Sequence, residues 1–564
     1  MKRQRAARIR ATIPHPLSFP PTAHAEWPQI TRDDMFAMPR LVRRRALFAL
    51  TAIALHVDRL SAQQFDVLIS GATVYDGTGS PARRADIGIR GDRIVFVGAA
   101  PAGVHATTRI DARRLIAAPG FIDPHTHSYE GLPDLDGTAR LNIPALMQGV
   151  TTVVLGADGR GPLDVTRVLD ASEHAGLGTN TYVMAGFGTA RSEVLGASAA
   201  AATAAQIDAM RALITQAMRE GAFGVGSGLF YAPQSYASTD EVIAVVSAAK
   251  PYGGVYDTHQ RDESSYTIGL LASVRESIRI GCESGLTANI GHIKALGVDV
   301  WGKADSVLRI MADARTRGCN VTADQYPWTA SGTALRAALL PRWAEAGGND
   351  SLTLRIADPV QRARMLSEMR ENLRRRGGDS TILLTSGDGN AKRFVGKTLK
   401  QVAVESRVPA AETALEMIRD GHDMGIASFN MTEADIATFM RDPNVMTSSD
   451  GSPGHPRLYG TYPRKIRRYV LEQHVITMER MVQASSGQVA FVYGLVDRGV
   501  LRTGAFADVI LFDPATIRDE ATYVEPRKLA TGMRWVFVNG VAAVASGRPT
   551  STMAGRALRR RVQN

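Results

Sequence analysis

The sequence predicts an α/β protein built on a (β/α)8 barrel, with a small discontinuous β-sandwich domain and a subdomain inserted before the last barrel strand. Three features predict it. Eight apolar stretches, at about 118–125, 151–156, 181–187, 222–227, 254–259, 287–292, 320–325 and 445–450, alternate with helical stretches such as 201–219 and 264–280. The first seven recur every 30–40 residues or so, whereas over 100 residues separate the seventh from the eighth, too many for a plain loop. Short alternating strands punctuated by Gly, Pro and Asp lie at both ends of the barrel segment.

Taken in order, residues 1–62 read as a leader. Arg43-Arg44-Arg45 precedes the apolar run from Ala46 to Leu55 and the small pair Ser61-Ala62, the order of a signal peptide's basic, apolar and cleavage regions. Met35 or Met38 is the natural initiator, and the Pro- and Arg-rich stretch before it is expected to be disordered or untranslated. Arg44-Arg45 also resembles a twin-arginine signal, so export to a periplasm or beyond is expected, with a cytoplasmic location if the leader does not function. Residues 63–117 form the first part of the β-sandwich. Residues 118–490 form the barrel, with the insertion at about 332–440, and residues 491–564 return to the sandwich.

Composition narrows the functional classes. No run approaches the ~20 apolar residues of a spanning helix, so stable membrane insertion is not expected. The net charge of +11 is concentrated in residues 1–62, which hold eleven Lys/Arg against four acids, and no basic stripe with interleaved aromatics points to nucleic acid. Cys282 and Cys319 each precede a strand of successive β/α units; two buried free thiols are the expectation, with a single disulfide as the alternative.

In a TIM-like barrel the chemistry sits at the C-terminal strand ends. There the chain carries His125 and His127 after strand 1, Asp158 after strand 2, His259 on strand 5, His292 on strand 6 and Asp450 on strand 8. The His-x-His pair puts two imidazoles on one side of an extended segment, and four His with two Asp on one rim point to a divalent metal.

These residues lie in motifs that resemble the N-acyl-D-amino-acid deacylase (D-aminoacylase) branch of the amidohydrolase superfamily, from residue 65 to the end. They are Gly120-Phe-Ile-Asp-Pro-His125-Thr-His127, Gly149-Val-Thr-Thr-Val-Val, Ser227-Gly-Leu-Phe-Tyr231-Ala-Pro, Gly254-Val-Tyr-Asp-Thr-His259-Gln-Arg261-Asp262-Glu263, Gly291-His292-Ile-Lys294, Asp324-Gln-Tyr326-Pro-Trp, and Ser449-Asp450-Gly followed by His455-Pro-Arg457. The resemblance implies that His259 and His292 hold a tight Zn²⁺, that His125 and His127 serve a second, weaker site, and that Asp450 is the general base. It also implies an N-acylated D-amino acid as the small-molecule substrate.

One position departs from the branch: Asp158 stands where its members carry a ligating cysteine. Asp158 is read as a metal ligand, and oxygen in place of sulfur hardens the site and admits Mn²⁺ or Co²⁺. A carboxylated-lysine bridge is excluded, since no Lys occurs between Lys2 and Lys250.

On the substrate side, Lys294 lies two residues from His292 and Arg457 follows Asp450, so two cations suit a substrate carboxylate, with surface salt bridges as the alternative. Tyr326 assists in the family, and Tyr231 is a candidate for the pocket wall. A serine contact is in doubt, because Ser331-Gly332 reverses the family's order of small residues. Arg261, Asp262 and Glu263 suit an ion network as well as substrate contact. Two rival readings remain at this stage: an amidohydrolase acting on a cyclic amide or dipeptide, in the manner of dihydroorotase or isoaspartyl dipeptidase, and a non-catalytic binding barrel. Side-chain preference, acyl length and oligomeric state are not readable.

Overall fold

The computed structural model describes residues 64–132, 134–422 and 424–560; the expected leader lies outside the described residues. The first strands are β1 (Gln64–Val74), β2 (Arg83–Arg90), β3 (Arg93–Gly98), β4 (His105–Asp111) and β5 (Ile116–Pro119). β1 pairs antiparallel with β2, and β2 with β3, while β4 and β5 run parallel to β1.

Then come β6 (Phe121–Asp123), β7 (Val150–Leu155), β8 (Asn180–Val183), β9 (Ala185–Gly186), β10 (Gly224–Gly228), β11 (Val255–His259), β12 (Thr287–Ile290) and β13 (Val321–Gln325). The insertion contributes β14 (Ala330–Ala334), β15 (Ile382–Ser386) and β16 (Gly425–Phe429). The chain ends with β17 (Val445–Thr447), β18 (Val509–Phe512), β19 (Met533–Val538), β20 (Val541–Ala545) and β21 (Arg548–Pro549).

The chain is α/β with parallel sheets. β6, β7 and β8 form one, and β9 to β13 continue in order to β17 in the other. An isolated parallel bridge, Thr126 to Gly451, ties the segment after β6 to the segment after β17. These strands are buried almost throughout, which is why they read as continuous apolar runs. Helices cover them in the usual amphipathic way. Helix Leu270–Ser284 buries Leu270, Ser273, Val274, Ser277, Ile278 and Gly281 at three- and four-residue spacing. Helix Ala204–Arg219 starts with a capping box between Thr203 and Gln206.

Two expected strands are divided. The stretch 118–125 belongs to two sheets: Ala118 and Pro119 in β5 pair antiparallel with β18, and β6 begins beyond Gly120. A Cβ at Gly120 would overlap Thr151, so glycine lets the chain pass between the sheets. The stretch 181–187 is interrupted at Met184, whose N–H donates to Leu155 O at 2.9 Å; β8 pairs with β7 and β9 with β10.

Strands from both chain ends join in a nine-stranded sheet, ordered β21-β20-β19-β18-β5-β1-β2-β3 with β4 on β1. The insertion between β13 and β17 contains the antiparallel sheet β14-β16-β15 and helices including Pro359–Arg375 and Ala410–Arg419. It has its own core, built on Leu335, Leu339, Met365, Met369, Leu384 and Leu415.

The thiol expectation is corrected. Cys282 and Cys319 are joined as a disulfide, with Cα atoms 5.4 Å apart. Cys282 lies near the end of the helix leading into β12, and Cys319 lies two residues before β13. These strands are neighbours, so the two approaches are brought side by side. Such a bond persists in oxidising compartments.

The nine-stranded sheet is fastened to the parallel strands by a buried polar knot at Asp508. Its carboxylate pairs with Arg498 and accepts from Asn180 Nδ2 of β8 at 3.2 Å and Asn539 N at 2.8 Å. Removing one partner of a buried, hydrogen-bonded ion pair leaves the other charge uncompensated. Asp508→Ala is therefore expected to destabilise the fold by about 3–5 kcal/mol in denaturant unfolding; a change below about 1 kcal/mol would mean that the knot is not what joins the two parts.

Candidate metal centre

The six expected site residues arrive from five strand ends. His125 and His127 follow β6, Asp158 sits in the tight turn after β7, His259 is the last residue of β11, His292 lies two residues past β12, and Asp450 lies three past β17. Three of them, Asp158 (φ 57°), His292 (φ 35°) and Asp450 (φ 46°), adopt left-handed backbone that costs a non-glycine residue roughly 1–2 kcal/mol. The surroundings hold them there. Asp324 Oδ1 accepts from His292 N at 2.7 Å, His125 O accepts from Asp450 N at 2.8 Å, and Gln234 Nε2 donates to Asp158 O at 2.8 Å. Strain kept at neighbouring polar residues is characteristic of a functional site.

Asp158 is the hub. Its Oδ1 lies 3.2 Å from His125 Nε2, 3.6 Å from His259 Nδ1 and 3.6 Å from His292 Nε2, and its Oδ2 lies 3.6 Å from His127 Nε2. Each imidazole turns its other nitrogen toward a second carboxylate. His125 Nδ1 is 3.6 Å from Asp257, His127 Nδ1 2.5 Å from Glu130, His292 Nδ1 3.1 Å from Glu263 and His259 Nε2 3.8 Å from Glu263. A carboxylate behind a histidine is how proteins orient metal-binding rings. Asp450 completes the rim, with Oδ1 3.4 Å from His127 Nε2 and Oδ2 2.7 Å from Arg457 Nη1.

The donor set fits a divalent transition metal. Among the described residues four groups have ligand atoms within 4.8 Å of one another: His125/His127/Asp158, Asp158/His259/His292, His125/His292/Asp450 and, on the far side of His125, His125/Asp257/Asp324. Both nitrogens of His125, both of His259 and Oδ1 of Asp158 are buried without a hydrogen-bond partner among the described residues, an arrangement that costs free energy unless an ion uses those atoms. The charges agree. Burial alone would raise the Asp158 carboxyl, yet the His259, His125 and His292 rings hold it well below the ordinary range. Burial would lower His125 and His127, but Asp158 with Asp257 pushes the first well up, and Glu130 with Asp450 and Asp158 pushes the second up to about 9. The carboxylates thus draw positive charge into the cluster, which a dication supplies.

The centre opens into a cavity of about 350 Å³ between these strand ends and the insertion. Tyr326 is buried there, with Lys294 Nζ 5.5 Å and the Arg457 guanidinium 4.8 Å from its ring centre. Tyr231 packs its ring 4.7 Å from that of His259, and its hydroxyl lies 3.3 Å from Thr333 Oγ1. Lys294 is 5 % exposed and donates to Glu263 Oε1 at 2.6 Å, so it is a buried, paired cation, not a surface one. Arg457 Nη2 donates to Gly332 O at 3.3 Å and Ser452 Oγ at 3.2 Å. Arg261 does not reach the cavity; it pairs with Glu276 at 2.9 Å.

Sequence reasoning missed the outer carboxylates Glu130 and Asp257 and the cavity residue Arg376. Asp257 had a signal, since it shares a face of β11 with His259 two residues on. Arg376 had none, because it caps a helix of the insertion.

No family model matches the chain. It is 32 % identical over 527 residues to D-aminoacylase of Alcaligenes xylosoxydans xylosoxydans, covering 88 % of this chain and 98 % of the relative. It is also 32 % identical over 510 residues to N-acyl-D-aspartate deacylase of the same organism, covering 85 % and 91 %. A solved D-aminoacylase structure with a binuclear metal centre matches with a TM-score of 0.75 at 32 % identity, covering 88 % of this chain and all (100 %) of that one. N-acyl-D-glutamate deacylase from Bordetella bronchiseptica, solved with zinc and a phosphonate mimic of the reaction's tetrahedral intermediate, gives 0.74 at 29 % identity, with coverages of 88 % and 100 %.

A Cβ added at Gly291 would stand 2.7 Å from His125 Nδ1 and 2.9 Å from its Cε1, so the ring has to move. Gly291→Ala is expected to weaken metal binding by about 10- to 100-fold, the range for disturbing the support of a ligand. Titration with a chelator and elemental analysis measure it; wild-type affinity would take His125 out of the ligand set.

Proposed function

The chain belongs to the D-aminoacylase family of amidohydrolases, and from that premise we propose how its own residues do the family's chemistry. It is a zinc-dependent hydrolase of the amide bond of N-acyl-D-amino acids, releasing a carboxylate and a D-amino acid. The observation that carries the reading is the cluster of four imidazoles around Asp158 with the Asp450–Arg457 pair beside it on the cavity floor. The parallel strands are read as a closed eight-stranded ring; the Thr126–Gly451 bridge and the strand order support closure.

Asp158, His259 and His292 would hold the tight ion, and His125 and His127 with Asp158 would hold a second. A bound zinc would supply polarisation of the amide carbonyl and would lower the pKa of water toward about 7. Its oxygen ligand leaves room for Mn²⁺ or Co²⁺. Asp450 takes the proton from the attacking water and delivers it to the amide nitrogen as the C–N bond breaks. Arg457 holds that carboxylate in place, and with Tyr326 it presents the positive side of the cavity to the substrate's α-carboxylate. Lys294 reinforces that field while fixing Glu263 and His292 from behind. Tyr231 forms the wall against His259.

The test is a screen of N-acyl-D- and N-acyl-L-amino acids with zinc-loaded enzyme. Turnover of D-substrates with marked preference over L is expected; hydrolysis of cyclic amides alone would overturn the reading.

The Asp450–Arg457 pair also gives a pH prediction. Burial raises the Asp450 carboxyl, but Arg457, His292 and His127 outweigh it and hold it well below the usual range, so the base is ionised at neutral pH. Because Arg457 favours the charged form, its removal moves the Asp450 pKa upward, and activity is then lost at a higher pH as acid is added. In Arg457→Ala the acid limb of kcat/KM is expected to move up by about 1–3 pH units; an unmoved limb would detach Asp450 from the titration.

A further inference from the structure

Arg376 lines the same cavity and is 1 % exposed, yet it lacks what the other buried cations around it have. Arg457 faces Asp450 at 2.7 Å and Lys294 faces Glu263 at 2.6 Å. Among the described residues no carboxylate lies within the 4.0 Å of an ion pair from the Arg376 guanidinium. Its partners are neutral: Nε donates to Tyr266 OH at 2.6 Å, and with the Asn430 amide turned so that both its ends are satisfied, Asn430 O accepts from Nη1 at 3.3 Å. Among the described residues, Nη2 donates no hydrogen bond. An uncompensated buried charge is costly, and a guanidinium aimed into a cavity is suited to a carboxylate delivered by a ligand.

The position is defined relative to the reaction centre. Ser331 Oγ lies 3.1 Å from the turned Asn430 oxygen, and the adjoining Gly332 accepts from Arg457 Nη2 at 3.3 Å. Adjacent residues of β14 thus lead to two arginines in one cavity, Arg457 beside Asp450 and Arg376 farther into the insertion.

We propose that Arg376 receives a second carboxylate of the substrate, borne by the side chain of the D-amino acid or by its acyl group. The proposal rests on the hydrolase reading above and names its substrate class: N-acyl-D-amino acids that are diacids. No new covalent step is involved.

Two pairs of compounds separate the sources. kcat/KM is compared for N-acetyl-D-glutamate against N-acetyl-D-glutamine, and for N-succinyl-D-leucine against its terminal amide. The acid is expected to be favoured by roughly 10- to 100-fold in one pair, the effect of a charge-assisted hydrogen bond. That pair identifies which end carries the carboxylate. Arg376→Met is expected to abolish the preference and Arg376→Lys, which keeps the charge, to retain part of it. Calorimetric binding of D-glutamate against D-glutamine, and of succinate against succinamate, to the zinc-loaded enzyme reads the same site without turnover. Equal values within both pairs, or a preference that survives Arg376→Met, would overturn the proposal. If no N-acyl-D-amino acid is hydrolysed, the hydrolase reading fails instead, and the binding comparison alone decides the role of Arg376.

Discussion

The structure depends on a carboxylate buried where a carboxylate is expensive. Asp158 sits 4 % exposed among His125, His127, His259 and His292, and an isolated ionised carboxyl in such surroundings costs several kcal/mol. Three strained backbones, the glycine that yields space to His125, and the outer carboxylates Asp257, Glu130 and Glu263 all serve to keep four rings aimed at that one group. Such an arrangement suits a positive centre: neighbouring carboxylates push His125 and His127 up, while burial holds His259 down.

Much of this was legible in the sequence, for a definite reason. Parallel strands buried on both faces read as apolar runs, and a polar residue ending such a run faces the rim, so His259 and Asp450 could be placed by position alone. Asp158 was reached by its place after the second run, where the resemblance has a cysteine. Pairing was not legible. Gly120 passes the chain from the nine-stranded sheet to β6, and Met184 divides β8 from β9, because both depend on neighbours distant in sequence. The Cys282–Cys319 bond escaped for the same reason, since it needs β12 beside β13. Arg376 comes from a helix end in the insertion, where local pattern carries no information about the cavity.

On the proposed reading, a carboxylate at position 158, where the resemblance has a cysteine, changes what the site asks of its metal. A thiolate selects softer ions, whereas a carboxylate has two oxygens, and here Oδ1 approaches His125, His259 and His292 while Oδ2 approaches His127. Asp450 is held next to this cluster by Arg457, so the histidines, this carboxylate and the cavity's arginine are joined through contacts of a few ångströms. Changes at one are therefore not expected to be additive with changes at another.

The most direct test of the central claim is anomalous diffraction at the zinc edge from crystals of the zinc-loaded protein. The account predicts a peak within bonding distance, about 2.0–2.2 Å, of Asp158, His259 and His292. A zinc peak bonded to the histidines with the Asp158 carboxylate turned away, or none in the cluster at all, would contradict it.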